Sequence, residues 1–164
     1  AGQHAAEAAG GEWEAAGDAA RSLGAVLPLE EDRLRRVCAQ LPEVLGMPPG
    51  ELGHRMVLLK AMLPGLDVAR VIELCPEPFL AWPLQRLEAR VAARREELAR
   101  VLPEETVAAM LQEDPSLLFE DVSVGVRALP EVFPGATREA YAASDPEELA
   151  LAIRALSHRG GPRR

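Results

Sequence analysis

The chain has 164 residues, of which 48% are apolar and only 4% aromatic, so Ala and Leu rather than aromatic rings must fill its core. That length suits one domain of ordinary size. No apolar run approaches the roughly 18 residues that a membrane-spanning helix requires. Net charge is −8, and with two cysteines the chain has no disulfide framework. The segment Ala1 to Ala9 has neither the basic region nor the apolar block of a secretory signal. It opens without Met, as a processed product would.

Residues 1–26 are rich in Gly, Ala and Glu, with Trp13 the one large side chain before Leu23. They read as a partly ordered leader, with a helical turn around Trp13 to Arg21. The first proline-delimited stretch runs from Leu27-Pro28 to Pro42. Proline is tolerated in the first turn of a helix and cannot continue one. A proline at each end therefore brackets one short helix. Its stripe is Leu34, Val37, Cys38 and Leu41, the i, i+3, i+4, i+7 spacing of one helical face. Val44-Leu45 forms a short apolar plug after Pro42, and residues 51–63 give a second helix carrying Leu52, Met56, Leu59 and Leu63.

The pattern then recurs. Leu63-Pro64 opens a helix with Val68, Val71, Ile72 and Cys75, closed by Pro76 and followed by the plug Phe79-Leu80. A longer helix over 84–102 carries Leu84, Leu87, Val91, Leu98 and Val101. Leu102-Pro103 opens a third copy with Val107, Met110 and Leu111, closed by Pro115 and followed by Leu117-Leu118-Phe119. Residues 120–132 read as a short helix that Gly125 weakens. A strand is the rival reading, because Val122, Val124 and Val126 alternate. The fourth copy, Phe133-Pro134 to Pro146, is degenerate: Arg138 replaces the apolar residue at the place of Val107, and Tyr141 and Ala142 follow. A helix over 147–157, with Leu149, Ile153 and Leu156, closes the array as a cap. The proline-to-proline gaps are 14, 12, 12 and 12 residues, and the closing prolines are 34, 39 and 31 apart. Such periods belong to helical repeats. The expected fold is all-α, a short α-solenoid of three to four two-helix repeats over 27–157, with an Arg-rich tail at 158–164.

Acidic residues cluster at the opening turns (Glu30, Glu31, Asp67, Glu104, Glu105), where they complement the helix dipole. Charge is unevenly spread. Residues 103–150 hold eleven acids against Arg127 and Arg138, while 81–102 hold five Arg against three Glu. Cys38 and Cys75 fall on the apolar stripes and read as small core hydrophobes, with a disulfide between adjacent repeats as the rival. His4, His54 and His158 lack partners at metal-ligand spacing, and no nucleophile elbow, P-loop or dinucleotide fingerprint occurs. No catalytic, cofactor or metal site is expected. The candidate interaction surface is Trp82 with Arg86, Arg90, Arg94 and Arg95, a basic stripe along helix 84–102. The plainer reading of that stripe is a solvated face with Arg94 paired to Glu97, and of Trp82 a plug between repeats.

Residues 102–119, LPEETVAAMLQEDPSLLF, and 63–80, LPGLDVARVIELCPEPFL, resemble the mitochondrial transcription termination factor (mTERF) family. That family's repeat has an apolar helix ending in Pro-x-Leu-Leu, matched by Pro115 to Leu118, then a plug and a second helix. The resemblance covers about residues 27–150. It implies two antiparallel helices and a short 3₁₀ helix per unit, stacked into a superhelix, and a mitochondrial or chloroplast protein. Family members bind nucleic acid on a basic concave face, whereas the third and fourth units here are acidic and would repel phosphates. The function expected is a non-catalytic interaction module, a peripheral or assembly subunit of a larger organellar complex with protein partners. The alternative is an mTERF-like RNA- or DNA-binding regulator using Arg86, Arg90, Arg94 and the tail.

Overall fold

The computed structural model of the protein describes residues 17–159. Trp13, His4 and the rest of the leader before residue 17, with the tail from residue 160, lie outside the described residues. Those described are helical throughout their regular structure and contain no strand. In chain order they form α1 (17–26), α2 (Glu31–Gln40), α3 (Pro49–Met62), α4 (Val68–Leu74), α5 (Leu84–Ala99), α6 (Glu104–Glu113), α7 (Ser123–Val132), α8 (Arg138–Ala142) and α9 (Pro146–Arg159). Residues up to Ala61 together with Val68–Pro83 make one compact unit; Met62–Asp67 with the chain from Leu84 onward make a second. Within the first unit α2 packs on α4. Within the second α5 packs on α6 and α7, α6 on α8 and α9, and α7 on α9.

The helices break at the expected prolines, and a new turn or helix begins at or just after each closing proline. Pro42 and Pro115 open 3₁₀ turns, Pro42–Gly46 and Pro115–Leu118. Pro76 precedes a π turn, Glu77–Ala81, and Pro146 opens α9. Proline forces the residue before it out of the α region. Leu41 and Asp114 accordingly share one backbone conformation, φ −138°, ψ 75° and φ −142°, ψ 80°. Gly65 and Gly135, each just after an opening proline, both take a left-handed φ, +82° and +85°.

The apolar stripes are buried as their spacing predicts. Leu34, Val37, Cys38, Leu41, Val68, Val71, Ile72, Val107, Met110 and Leu111 all lie in the core. Cys75 differs: it stands just beyond the end of α4 and is only half-buried, and neither cysteine is in a disulfide. Helical order also begins earlier than residue 27, since α1 buries Ala20 and Leu23 and is followed by a fully buried Leu27. The fourth copy is reduced to the five residues of α8, with Tyr141 its one buried side chain.

Within 120–132 the chain forms α7 from Ser123, with Val122 as its N-cap, and the alternating valines divide, with Val122 and Val126 buried and Val124 exposed. Gly125 owes its place to packing. A Cβ there would fall on the Ile153 carbonyl and beside the Ser157 hydroxyl. The Ser157 hydroxyl accepts from the Gly125 amide at 3.0 Å and donates to the Ile153 carbonyl at 2.9 Å. The early part of α7 therefore packs on the later half of α9.

The second helices repeat as regularly as the first. One residue before each opening proline stand Leu27, Leu63, Leu102 and Phe133; five before, Leu23, Leu59, Leu98 and Leu129. Apart from Phe133, all of these are buried. Nine before stand Ala19, Arg55, Arg94 and Gly125. The register thus places an arginine at one matching point in each of the two central copies.

Candidate interaction surface

The basic stripe turns largely inward. Arg94 is 3% exposed; it donates to the Glu97 carboxylate, to the Glu120 carbonyl at 2.6 Å and to the Ser123 hydroxyl at 3.4 Å. Arg90, half-buried, donates to the carbonyls of Leu118 at 3.1 Å, Phe119 at 2.7 Å and Glu120 at 3.2 Å. Arg95 donates to the Met62 carbonyl and reaches Glu104 at 3.3 Å. It also edges a groove of about 340 Å³ with Met62, Glu88, Val91 and Ala92. Arg86 is exposed, and Trp82 is half-buried. The intrahelical Arg94–Glu97 pair of the plainer reading is present, but at Arg94 the solvated face of that reading is not, since the side chain is buried. Burial lowers the Arg94 pKa, against the opposing charge of Glu97.

What these guanidinium groups satisfy is the end of a short helical turn. Carbonyls there have no intrahelical partner, and arginine brings five donors in a fixed fork. Arg55 does the same one copy earlier. It is 5% exposed and donates to the Phe79 carbonyl at 3.3 Å and the Trp82 carbonyl at 2.8 Å, with Glu51 at 3.6 Å. In both copies the carbonyls lie three to six residues past the closing proline. In both the arginine Nε is buried without a partner. Sequence reasoning passed over Arg55; its place nine residues before an opening proline, shared with Arg94, was the available signal. Arg138 closes α5 in the same manner, donating to the carbonyls of Ala99 at 3.2 Å and Leu102 at 2.8 Å.

Arg154 fastens α9 to the 3₁₀ turn of the third copy. It reaches Asp114 at 2.5 Å and Glu120 at 2.9 Å, and also donates to the Ser116 hydroxyl. Burial works against its charge, but the Glu120 hydrogen bond and the Asp114 and Glu120 charges outweigh it and raise its pKa.

Over residues 131–148 the exposed charges are mostly acidic. Glu131, Glu139, Asp145, Glu147 and Glu148 are exposed, and no cation among the described residues lies within 4.0 Å of any of them. Val132 (51% exposed), Phe133 (47%) and Leu151 (57%) are exposed apolar side chains of the same stretch of sequence. Burial pushes the Cys38 thiol up to about 11, which leaves it protonated and inert at neutral pH. His54 and His158 are exposed, and no three metal-ligating side chains converge among the described residues. No described helix is long and apolar enough to cross a membrane. In comparisons with known proteins, no family model, no curated protein and no solved structure matches the chain.

Proposed function

We propose that the chain is a short α-solenoid of mTERF-like repeats that acts as a non-catalytic interaction module, a peripheral or assembly subunit of a larger organellar complex. The observation that carries this reading is the use made of the arginines. Arg55 and Arg94 occupy matching register points, and Arg55, Arg90 and Arg94 bind backbone carbonyls that follow a closing proline. Such positions serve repeat construction and leave little of the stripe for phosphates. The register of apolar residues on both helices of each copy supports a solenoid, because a two-helix unit cannot bury its own apolar face and must stack on the next. The organellar setting follows from the mTERF resemblance of residues 63–80 and 102–119.

The test is fractionation of a native organelle extract containing the chain, with and without nuclease. Migration with a large complex that survives nuclease is the expected result. Release on digestion would show that nucleic acid holds the chain and would replace this reading with the regulator. Migration as a free chain under both conditions would refute the subunit role.

A further inference from the structure

We propose that a second copy of the chain docks on the groove beside α5, antiparallel, about a two-fold axis that passes between Val91 and Ala92. The inference stands apart from the subunit reading. The groove lies wholly within the second unit: Met62, Glu88, Val91, Ala92 and Arg95 line it, and its volume is about 340 Å³. Its α5 wall is one face of the helix, since residues three and four apart are neighbours there. α5 has 16 residues and so offers a second helix about 24 Å of length.

The charges of this wall select the occupant. Glu88 stands three residues before Val91, and Arg95 three after Ala92. A two-fold axis between Val91 and Ala92 exchanges the two positions, so Glu88 of each copy meets Arg95 of the other. Glu88 is half-buried, and no cation among the described residues lies within 4.0 Å of it. Arg95 keeps donors to spare, because the Met62 carbonyl and Glu104 engage two of its five N–H groups. Ala92, exposed at the middle, is small enough to let a second helix approach. Charge also limits where two copies can meet. Residues 103–150 hold eleven acids against two arginines, and a two-fold contact there would set like charges together. The groove wall carries one charge of each sign. A foreign helix would have to bring the complementary pair at the matching spacing, whereas a second copy already carries it.

Sedimentation of the full chain over a range of concentrations is the test. Its mass should rise from 17.7 kDa towards twice that value as concentration approaches about 0.2 mM, the weak association expected of a contact below standard interface size. Glu88→Arg and Arg95→Glu should each raise the dimer dissociation constant at least about tenfold, by setting like charges together. An equimolar mixture of the two variants should pair again, because one then offers only cations and the other only carboxylates at the exchanged positions. Ala92→Arg should block pairing by placing two cations at the axis, while Arg86→Glu, elsewhere on α5, should leave it unchanged. Arg95 also holds the Met62 carbonyl, so thermal melts accompany each variant. Should Arg95→Glu melt early, Glu88→Arg and Ala92→Arg carry the test on their own. A chain that stays monomeric throughout overturns the proposal. So does a dimer that survives Glu88→Arg and Ala92→Arg, equal loss with Arg86→Glu, or a mixture of well-folded charge variants that stays monomeric. A monomer that still travels with a nuclease-resistant complex would sink this contact and leave the subunit reading standing.

Discussion

Gly125 and Gly53 separate two meanings of glycine within a helix. In α3, a Cβ at Gly53 would meet nothing within 4 Å. Gly53→Ala should therefore stabilise the chain by about 0.5–1 kcal/mol, by removing unfolded-state entropy and raising helix propensity. In α7, a Cβ at Gly125 would collide with the backbone of α9, which cannot swing aside as a side chain can. It would also displace the Ser157 hydroxyl that caps the Gly125 amide. Gly125→Ala should cost about 2–4 kcal/mol, the range of overpacking joined to a lost buried hydrogen bond. Urea denaturation of both variants checks this, and shifts of the same sign would defeat the packing argument. Composition marks both residues only as helix-weakening; the neighbour of each decides.

At the scale of elements, the short turns after Pro76 and Pro115 are held by arginines of α3 and α5, the second helices of the copies before. Removing Arg55 takes the donor from two carbonyls and leaves Glu51 unpaired; removing Arg94 takes it from the Glu120 carbonyl, the Ser123 hydroxyl and the Glu97 carboxylate. Arg55→Ala and Arg94→Ala should each destabilise the chain by about 2–4 kcal/mol, as loss of a buried charged hydrogen-bonding group does. Arg86→Ala, on the same helix as Arg94 but exposed, should change stability by less than about 1 kcal/mol. Thermal melts of the three variants test the ordering. If Arg94→Ala melts with Arg86→Ala, the carbonyl contacts contribute little. The four-residue spacing of Arg86, Arg90 and Arg94 was plain in the sequence. Which of them faced inward was not, because each turns only about 40° around the helix from the last and the edge of the buried face passes between them.

For the whole molecule, charge distribution weighs more than its sum of −8. The arginines of α5 are largely committed to internal acceptors, while Glu131, Glu139, Glu147 and Glu148 are exposed with no described cation within 4.0 Å. Labelled single- and double-stranded oligonucleotides at 0.15 M salt should show no saturable binding below roughly 10 µM, since phosphate affinity needs cations free to replace counterions. Sub-micromolar binding with a steep salt slope, lost on Arg86→Ala, would overturn this.

The helical class, the proline boundaries and most of the core were legible in the order of residues alone. These depend on local rules: proline cannot continue a helix, and apolar residues at i, i+3, i+4, i+7 share a face. Val71, Met110 and Leu59 needed no more than their spacing to be placed inside. Other features rest on contacts between distant segments. Gly125 is explained by α9, a segment nearly thirty residues away. Arg55 and Arg94 are explained by carbonyls of turns that come later in the chain. Cys75 sits on a stripe in sequence, yet it is only half-buried, whereas Leu41 at the matching place past the end of α2 is in the core. A contact between residues far apart in the chain leaves no period to read, so packing partners and buried charges become visible only once the helices are placed.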